Sequence, residues 1–286
     1  MKFIEKNKFI NSILIVVLVI VFINLVKVSL IMIGLEPAKD LFANAVFIAI
    51  VLGGIGIMLI SQFNGKLALD DIGLSSNKNA VKQFMIGVLL AAIITCAIVG
   101  MLHVVGARFL KLGFETGAYG EFIKTIVCGF IIATFAGVVE ELAFRGYLFT
   151  KFQKEKGTIS AIVITTVFFT IVHAPSSSYT ELLSYLVPAS FGVMFCLIRI
   201  YYKSLWITIG LHFAYDFFML SIIGIGSENL GRPLFIFEYL PKKVILFGNH
   251  IGDVSSLFPT IVALLVSGML VICNYNKKNI IYKKEL

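Results

Sequence analysis

Charge is scarce in this chain. Only 14% of its 286 residues are Asp, Glu, Lys or Arg, and 59% are hydrophobic. An average soluble domain has about a quarter of its residues charged and about half apolar. With a mean hydropathy of +0.97, this excludes an ordinary soluble domain and indicates a polytopic membrane protein. Cysteine is sparse as well. Cys96, Cys128, Cys196 and Cys273 are scattered through apolar runs with no CxxC spacing, which argues against a disulfide framework and a thiolate metal site. Internal repeats, low-complexity tracts and a second domain are also missing. The net charge of +8 would suggest nucleic acid in a soluble protein. Here the basic residues stand between apolar runs, so an anionic lipid surface explains them, and nucleic acid is not an expected partner.

What the chain has instead is long apolar runs. A spanning helix needs about 20 mostly apolar residues. Eight candidates are expected, at Ile10–Leu30, Phe42–Gln62, Phe84–Val105, Phe122–Phe144, Ile159–His173, Glu181–Ile200, Leu205–Ile225 and Leu257–Asn274. The first lacks a small-residue cleavage site after it and reads as a retained helix rather than a signal peptide. The fifth is short enough to be tilted or re-entrant. Cytoplasmic loops hold the excess of Lys and Arg. With the N-terminus inside, sixteen such residues fall on the inner side and seven on the outer, with Lys27 in the first span. The expectation is an all-α bundle of about eight transmembrane helices with both termini cytoplasmic. Residues 1–286 form one transmembrane domain, with a core at about 69–225 and an accessory outer loop and last helix at about 226–286. The outer loop, about Gly226 to Val254, reads as an ordinary connector. Pro188 is expected to kink the sixth span, and Pro259 suits the first turn of the eighth.

Within these runs a few ionisable residues stand out, and an intramembrane ionisable residue is a functional-site candidate by default. Glu140, Glu141 and Arg145 share one span. Glu141 and Arg145 are four apart, on one helix face, with the glutamate N-terminal. Glu140 is rotated about 100° away and lacks a local counter-ion, which makes it the candidate general base. A structural ion-pair cluster is the alternative for this pair. His173 closes the fifth run. His212 and Asp216 are again four apart, so imidazole and carboxylate share a face. Glu181 lies at a span boundary, and His103 and His250 fall at a span end and in a loop, with no role assigned. At about 1.5 Å per residue, Glu140 lies about 15 Å from the inner end near Lys151, His212 about 10 Å in from Leu205 and His173 about 20 Å in from Ile159. Tilt or an offset helix start would have to absorb that difference.

Taken together, these residues carry a resemblance. Glu140-Glu141-Leu142-Ala143-Phe144-Arg145 has the form EExxxR, Phe169-Thr170-Ile171-Val172-His173 the form FxxxH, and His212 precedes an Asp by four residues. Leu69-Asp70-Asp71-Ile72-Gly73-Leu74 is similar to a weaker upstream D-x-G-L signature. Over about Leu69 to Asp216 the chain resembles the CPBP (Abi) family of intramembrane proteases, related to the type II CAAX prenyl endopeptidases. The resemblance implies hydrolysis of a peptide bond in a cavity open to the cytoplasmic side. Glu140 and His173 would activate water, His212 and Asp216 would stabilise the oxyanion or position substrate, and Glu141 and Arg145 would support the site. The prenyl endopeptidases carry Asn at the Asp216 position. An ionised Asp cannot donate to an oxyanion, so Asp216 is protonated, orients His212 or binds a metal. Zinc is a possible cofactor: Glu140, His173 and His212 would form the ligand set with an open fourth position, while the same groups can also act without a metal.

The expected partners are the bilayer and a membrane-associated peptide or protein substrate. The setting is a multi-pass protein of a cell membrane, and the richness in Lys, Ile, Phe and Asn points weakly to a bacterial cytoplasmic one. Two other classes compete: an ion-coupled secondary transporter, whose proton relays use the same residue types, and a non-catalytic immunity or scaffold protein.

Overall fold

The computed structural model describes residues 70–74, 79–104, 106–173, 182–224, 231–238 and 257–276, with Met32. The expected spans Ile10–Leu30 and Phe42–Gln62, the two termini, Glu181 and His250 lie outside the described residues. Six helices follow in chain order: α1 (Ala80–Val104), α2 (Tyr119–Lys156), α3 (Thr158–Val172), α4 (Leu182–Tyr202), α5 (Leu205–Ile223) and α6 (Leu257–Asn276). All but α3 are long and apolar enough to cross a membrane, five helices among the described residues. The protein is a mostly helical, multi-pass membrane protein.

Apolar residues cover both faces of these helices, as membrane spans require. On α1, Gly87, Ala91, Ile94 and Ile98 recur at three- and four-residue spacing and are buried. Met85, Leu89 and Ile93 on the same helix are exposed. In water that second face would be an aggregation hazard; against lipid tails it costs nothing. The core joins α1, α4, α5 and α6 through Ile94, Phe191, Met194, Phe195, Leu211 and Val262. Pro259 sits in the first turn of α6 and Pro188 lies within α4.

The 38 residues of α2 amount to about 57 Å of helix, well beyond an about 30 Å hydrocarbon core. Its last two turns, Phe149–Lys156, account for about 12 Å of that excess, and there Lys151, Gln153, Lys154, Glu155 and Lys156 replace the apolar sequence. Gly157 then turns the chain with φ 86° and ψ 169°, a region essentially closed to residues with a Cβ. Helix α3 returns along α2 for 15 residues, about 22 Å, and ends at His173. The expected fifth span therefore stops at the level of the glutamates.

Loops group at the two ends of the bundle. Near one end, Lys154 of α2 pairs with Asp71 at 3.0 Å, Arg199 of α4 donates to the Asp71 carbonyl at 3.3 Å, and the Leu205 amide that opens α5 donates to the Gly73 carbonyl at 2.8 Å. The D-x-G-L segment is thus a clasp tying three helices together.

At the other end the helical bundle carries a small β element that was not expected. Strands β1 (Arg108–Leu112) and β2 (Phe235–Glu238) form a two-stranded antiparallel sheet, with Arg108 opposite Glu238 and an irregularity between Phe109 and Lys111. Arg232, just before β2, donates its Nε to Glu121 at 2.8 Å, and its amide donates to Thr125 Oγ1 at 2.8 Å. Part of the loop expected to be a plain connector is therefore strand, fastened to the start of α2.

Candidate active site

The site is built where α2, α3 and α5 meet. The middle of α2 is not α-helical: Ala136–Glu140 and Leu142–Leu148 are π-helix. Such segments are rare and frequently mark functional sites, because the widened turn re-aims side chains. Gly137 allows the distorted segment to press against α5. A Cβ there would stand 2.7 Å from the Phe213 amide nitrogen, closer than any side chain tolerates.

The depth mismatch is resolved by the α2–α3 hairpin. A Cβ at Gly146 would lie 3.3 Å from Leu205 Cδ2, so Gly146 marks the level at which α5 begins. Helix α2 runs about 15 Å past that level and α3 returns about 22 Å, which brings His173 about 8 Å beyond it. Glu140 lies about 9 Å and His212 about 10 Å beyond the same level. The helix offset, rather than tilt alone, brings the three side chains together.

Glu140 Oε2 is 3.3 Å from His173 Nε2 and 3.9 Å from His212 Nε2. His212 Nε2 is 3.5 Å from Asp216 Oδ2. The Glu140 side chain is 15% exposed, Asp216 26% and His173 34%, whereas His212 is 6% and Glu141 and Arg145 are 0%. A half-open rim of Glu140, His173 and Asp216 therefore stands above a sealed floor of His212, Glu141 and Arg145.

Hydrogen-bond partners set the imidazole tautomers. His173 Nδ1 lies 2.8 Å from the Phe169 carbonyl. A carbonyl only accepts, so Nδ1 carries the proton and Nε2 faces Glu140. His212 Nδ1 lies 3.0 Å from Glu141 Oε1, which receives its proton in the same way. The same oxygen accepts from Arg145 Nη1 at 2.9 Å, and Arg145 Nη2 donates to the Gly192 carbonyl at 3.4 Å. Glu141 was expected to act as general support; its contact is more specific, because it fixes the tautomer of His212. Asp216, four residues away on the same helix, instead approaches Nε2, the edge that Glu140 also faces.

The guanidinium of Arg145 lies 4.2 Å from the Phe169 ring centroid and 4.8 Å from that of Phe195. Cation–π contacts of this kind contribute about 0.5–2 kcal/mol each, more when desolvated. Phe195 belongs to no motif recognised in the sequence. His103 Nδ1 bonds the Ala107 carbonyl at 3.2 Å, closing the end of α1.

A zinc ion would need its nitrogen and oxygen donors about 2.0–2.2 Å from one point. Among the described residues, no group of three His, Cys, Asp or Glu side chains meets the geometry of an ion-holding set. That includes Glu140, His173 and His212.

Fold and site together define a multi-pass helical membrane protein with a carboxylate–imidazole constellation inside the bundle. Residues 122–218 match the family described as Type II CAAX prenyl endopeptidase Rce1-like. This match and the resemblance seen in the sequence agree over the segment bearing all three motifs. No curated protein and no solved structure gives a significant match.

Proposed function

We propose that this protein is an intramembrane endopeptidase hydrolysing a peptide bond in a membrane-associated peptide or protein. The observation that carries the reading is the approach of Glu140 Oε2 to two imidazoles from two other helices, at 3.3 and 3.9 Å. Glu140, backed by His173, takes a proton from water as the water oxygen attacks the scissile carbonyl carbon. His212 holds its Nδ1 proton against Glu141, so a protonated His212 presents a second proton at Nε2. Asp216 is the resting counter-ion of that imidazolium. As the tetrahedral intermediate forms, the oxyanion accepts from the Nε2–H in place of Asp216. This gives an ionised Asp216 a role that needs no donor of its own. Collapse of the intermediate breaks the C–N bond, and the proton held by Glu140 passes to the leaving amine.

The test is cleavage of a fluorogenic peptide panel by purified protein in detergent. Wild type is expected to cleave at least one peptide, and Glu140→Ala none, while both melt at similar temperatures. Retained cleavage by Glu140→Ala would overturn the assignment. Substrate-dependent proton flux in proteoliposomes without peptide hydrolysis would favour a transporter.

A further inference from the structure

We infer that Phe195 is a positioning residue that sets the ring plane of His212 and couples it to Arg145. This inference rests on the proteolytic reading above. Phe195 lies on α4, a helix that supplies no acid or base to the site, and is 1% exposed. Its ring stacks on the His212 imidazole, with centroids 5.0 Å apart and planes at 25°. Its opposite neighbours are aromatic too: Phe191 at 6.0 Å and Phe169 at 6.5 Å, both edge-on. The guanidinium carbon of Arg145 stands 4.8 Å from the Phe195 centroid.

The arrangement repeats on the other histidine. Phe169 carries Arg145 at 4.2 Å and packs on His173 with ring centroids 4.2 Å apart. Of the three phenyl rings this cation faces, with Phe144 at 5.8 Å the most distant, the two nearer ones each pack on one of the site histidines. The hydrogen bond to Glu141 fixes which nitrogen of His212 is protonated, but a single bond at Nδ1 leaves the imidazole free to rotate about that bond. The stacked ring removes that freedom, because rotation would drive the imidazole edge into the phenyl face. Only with the plane fixed does Nε2 point at the space shared by Glu140 and Asp216, 3.9 and 3.5 Å away. Leucine at 195 would fill much of the volume yet present no flat face and no quadrupole for the guanidinium. Tyrosine would keep both.

The experiment compares Phe195→Leu and Phe195→Tyr in the full chain, using peptide cleavage over a pH series, thermal melting and ¹⁵N NMR of histidine-labelled protein. Phe195→Leu is expected to lose at least about tenfold in kcat with KM within about twofold, a change of about 1.4 kcal/mol in barrier. Its acid limb should shift, and the His212 Nε2 resonance should move as that nitrogen leaves the space shared by Glu140 and Asp216. Phe195→Tyr should recover kcat to within about threefold and restore the wild-type Nε2 resonance. Three results would each overturn the proposal: a Leu variant with wild-type kcat and pH profile, a fall in kcat that merely tracks a lowered melting point in both variants, or unchanged His212 nitrogens. The NMR arm needs no turnover. If wild type cleaves nothing yet the nitrogens respond as described, the proteolytic reading fails and the positioning role survives.

Discussion

Replacing Arg145 with methionine tests whether the sealed floor of the site acts as one charge unit. Arg145 and Glu141 are both wholly buried and pair at 2.9 Å. Removing the cation leaves the Glu141 carboxylate in a low-dielectric interior with the His212 Nδ1–H as its remaining charge-assisted partner. Breaking a buried pair from one side costs about 3–5 kcal/mol, and the lost cation–π contacts add about 1 kcal/mol or more. Against a total stability of about 5–15 kcal/mol, Arg145→Met should be severely destabilised yet in part recoverable in detergent. The paired variant Glu141→Leu/Arg145→Met replaces both charges with apolar groups of similar shape, which is near neutral in comparable cases. It should regain most of the stability while staying inactive, because His212 has lost the acceptor for its Nδ1 proton. Unfolding followed by melting and by denaturant, with cleavage measured on the same preparations, separates the two effects. A single variant as stable as wild type, or a double variant with wild-type turnover, would refute the reasoning.

Other consequences can be checked alongside. Glu141→Gln keeps the shape of the floor but removes its charge, so turnover should fall by about 10²–10⁴, the range for displaced acid–base function, with little change in substrate binding; equal kcat for the two proteins would sink the tautomer argument. Gly137→Ala places a Cβ 2.7 Å from the Phe213 amide nitrogen, and overpacking of this kind costs about 1–3 kcal/mol; the melt should drop and turnover with it, and an unaffected protein would mean that α2 and α5 are not in close contact there. Strong chelation should leave cleavage unchanged, since among the described residues no three donors meet a metal-holding geometry; loss of activity restored by zinc would show that the donors rearrange around an ion.

The chemistry of the site was more legible in the sequence than its mechanics. Carboxylates and histidines in hydrocarbon stand out because burial of charge is costly, so Glu140, Glu141, Arg145, His173, His212 and Asp216 could all be picked before any coordinates. Their convergence was harder to see, since counting depth from each helix end ignores that α2 and α3 project past the start of α5. Helical periodicity at 100° per residue placed Glu140 and Glu141 on different faces, but it carries no signal for the π-helical stretch. That stretch depends on packing of Ala136–Leu148 against helices distant in sequence. The pairing of Arg108–Leu112 with Phe235–Glu238 is likewise non-local, and strands of four or five residues leave little pattern. Phe195 was invisible for the opposite reason: in a chain with 26 phenylalanines, one more looks like filler, and only its stacking on an imidazole separates it from the rest.

The glycine turn at residue 157 governs how Glu140 and His173 are kept in register. His173 is a fixed number of helical steps downstream of that turn and Glu140 a fixed number upstream, so the turn works as the zero mark of a ruler with two arms. Adding one residue to either arm would swing its functional group by about 100° and slide it about 1.5 Å. Residues added to both arms in whole turns would lengthen the ruler and leave the meeting point intact. Length variation in this hairpin is therefore tolerable only when its two arms change together.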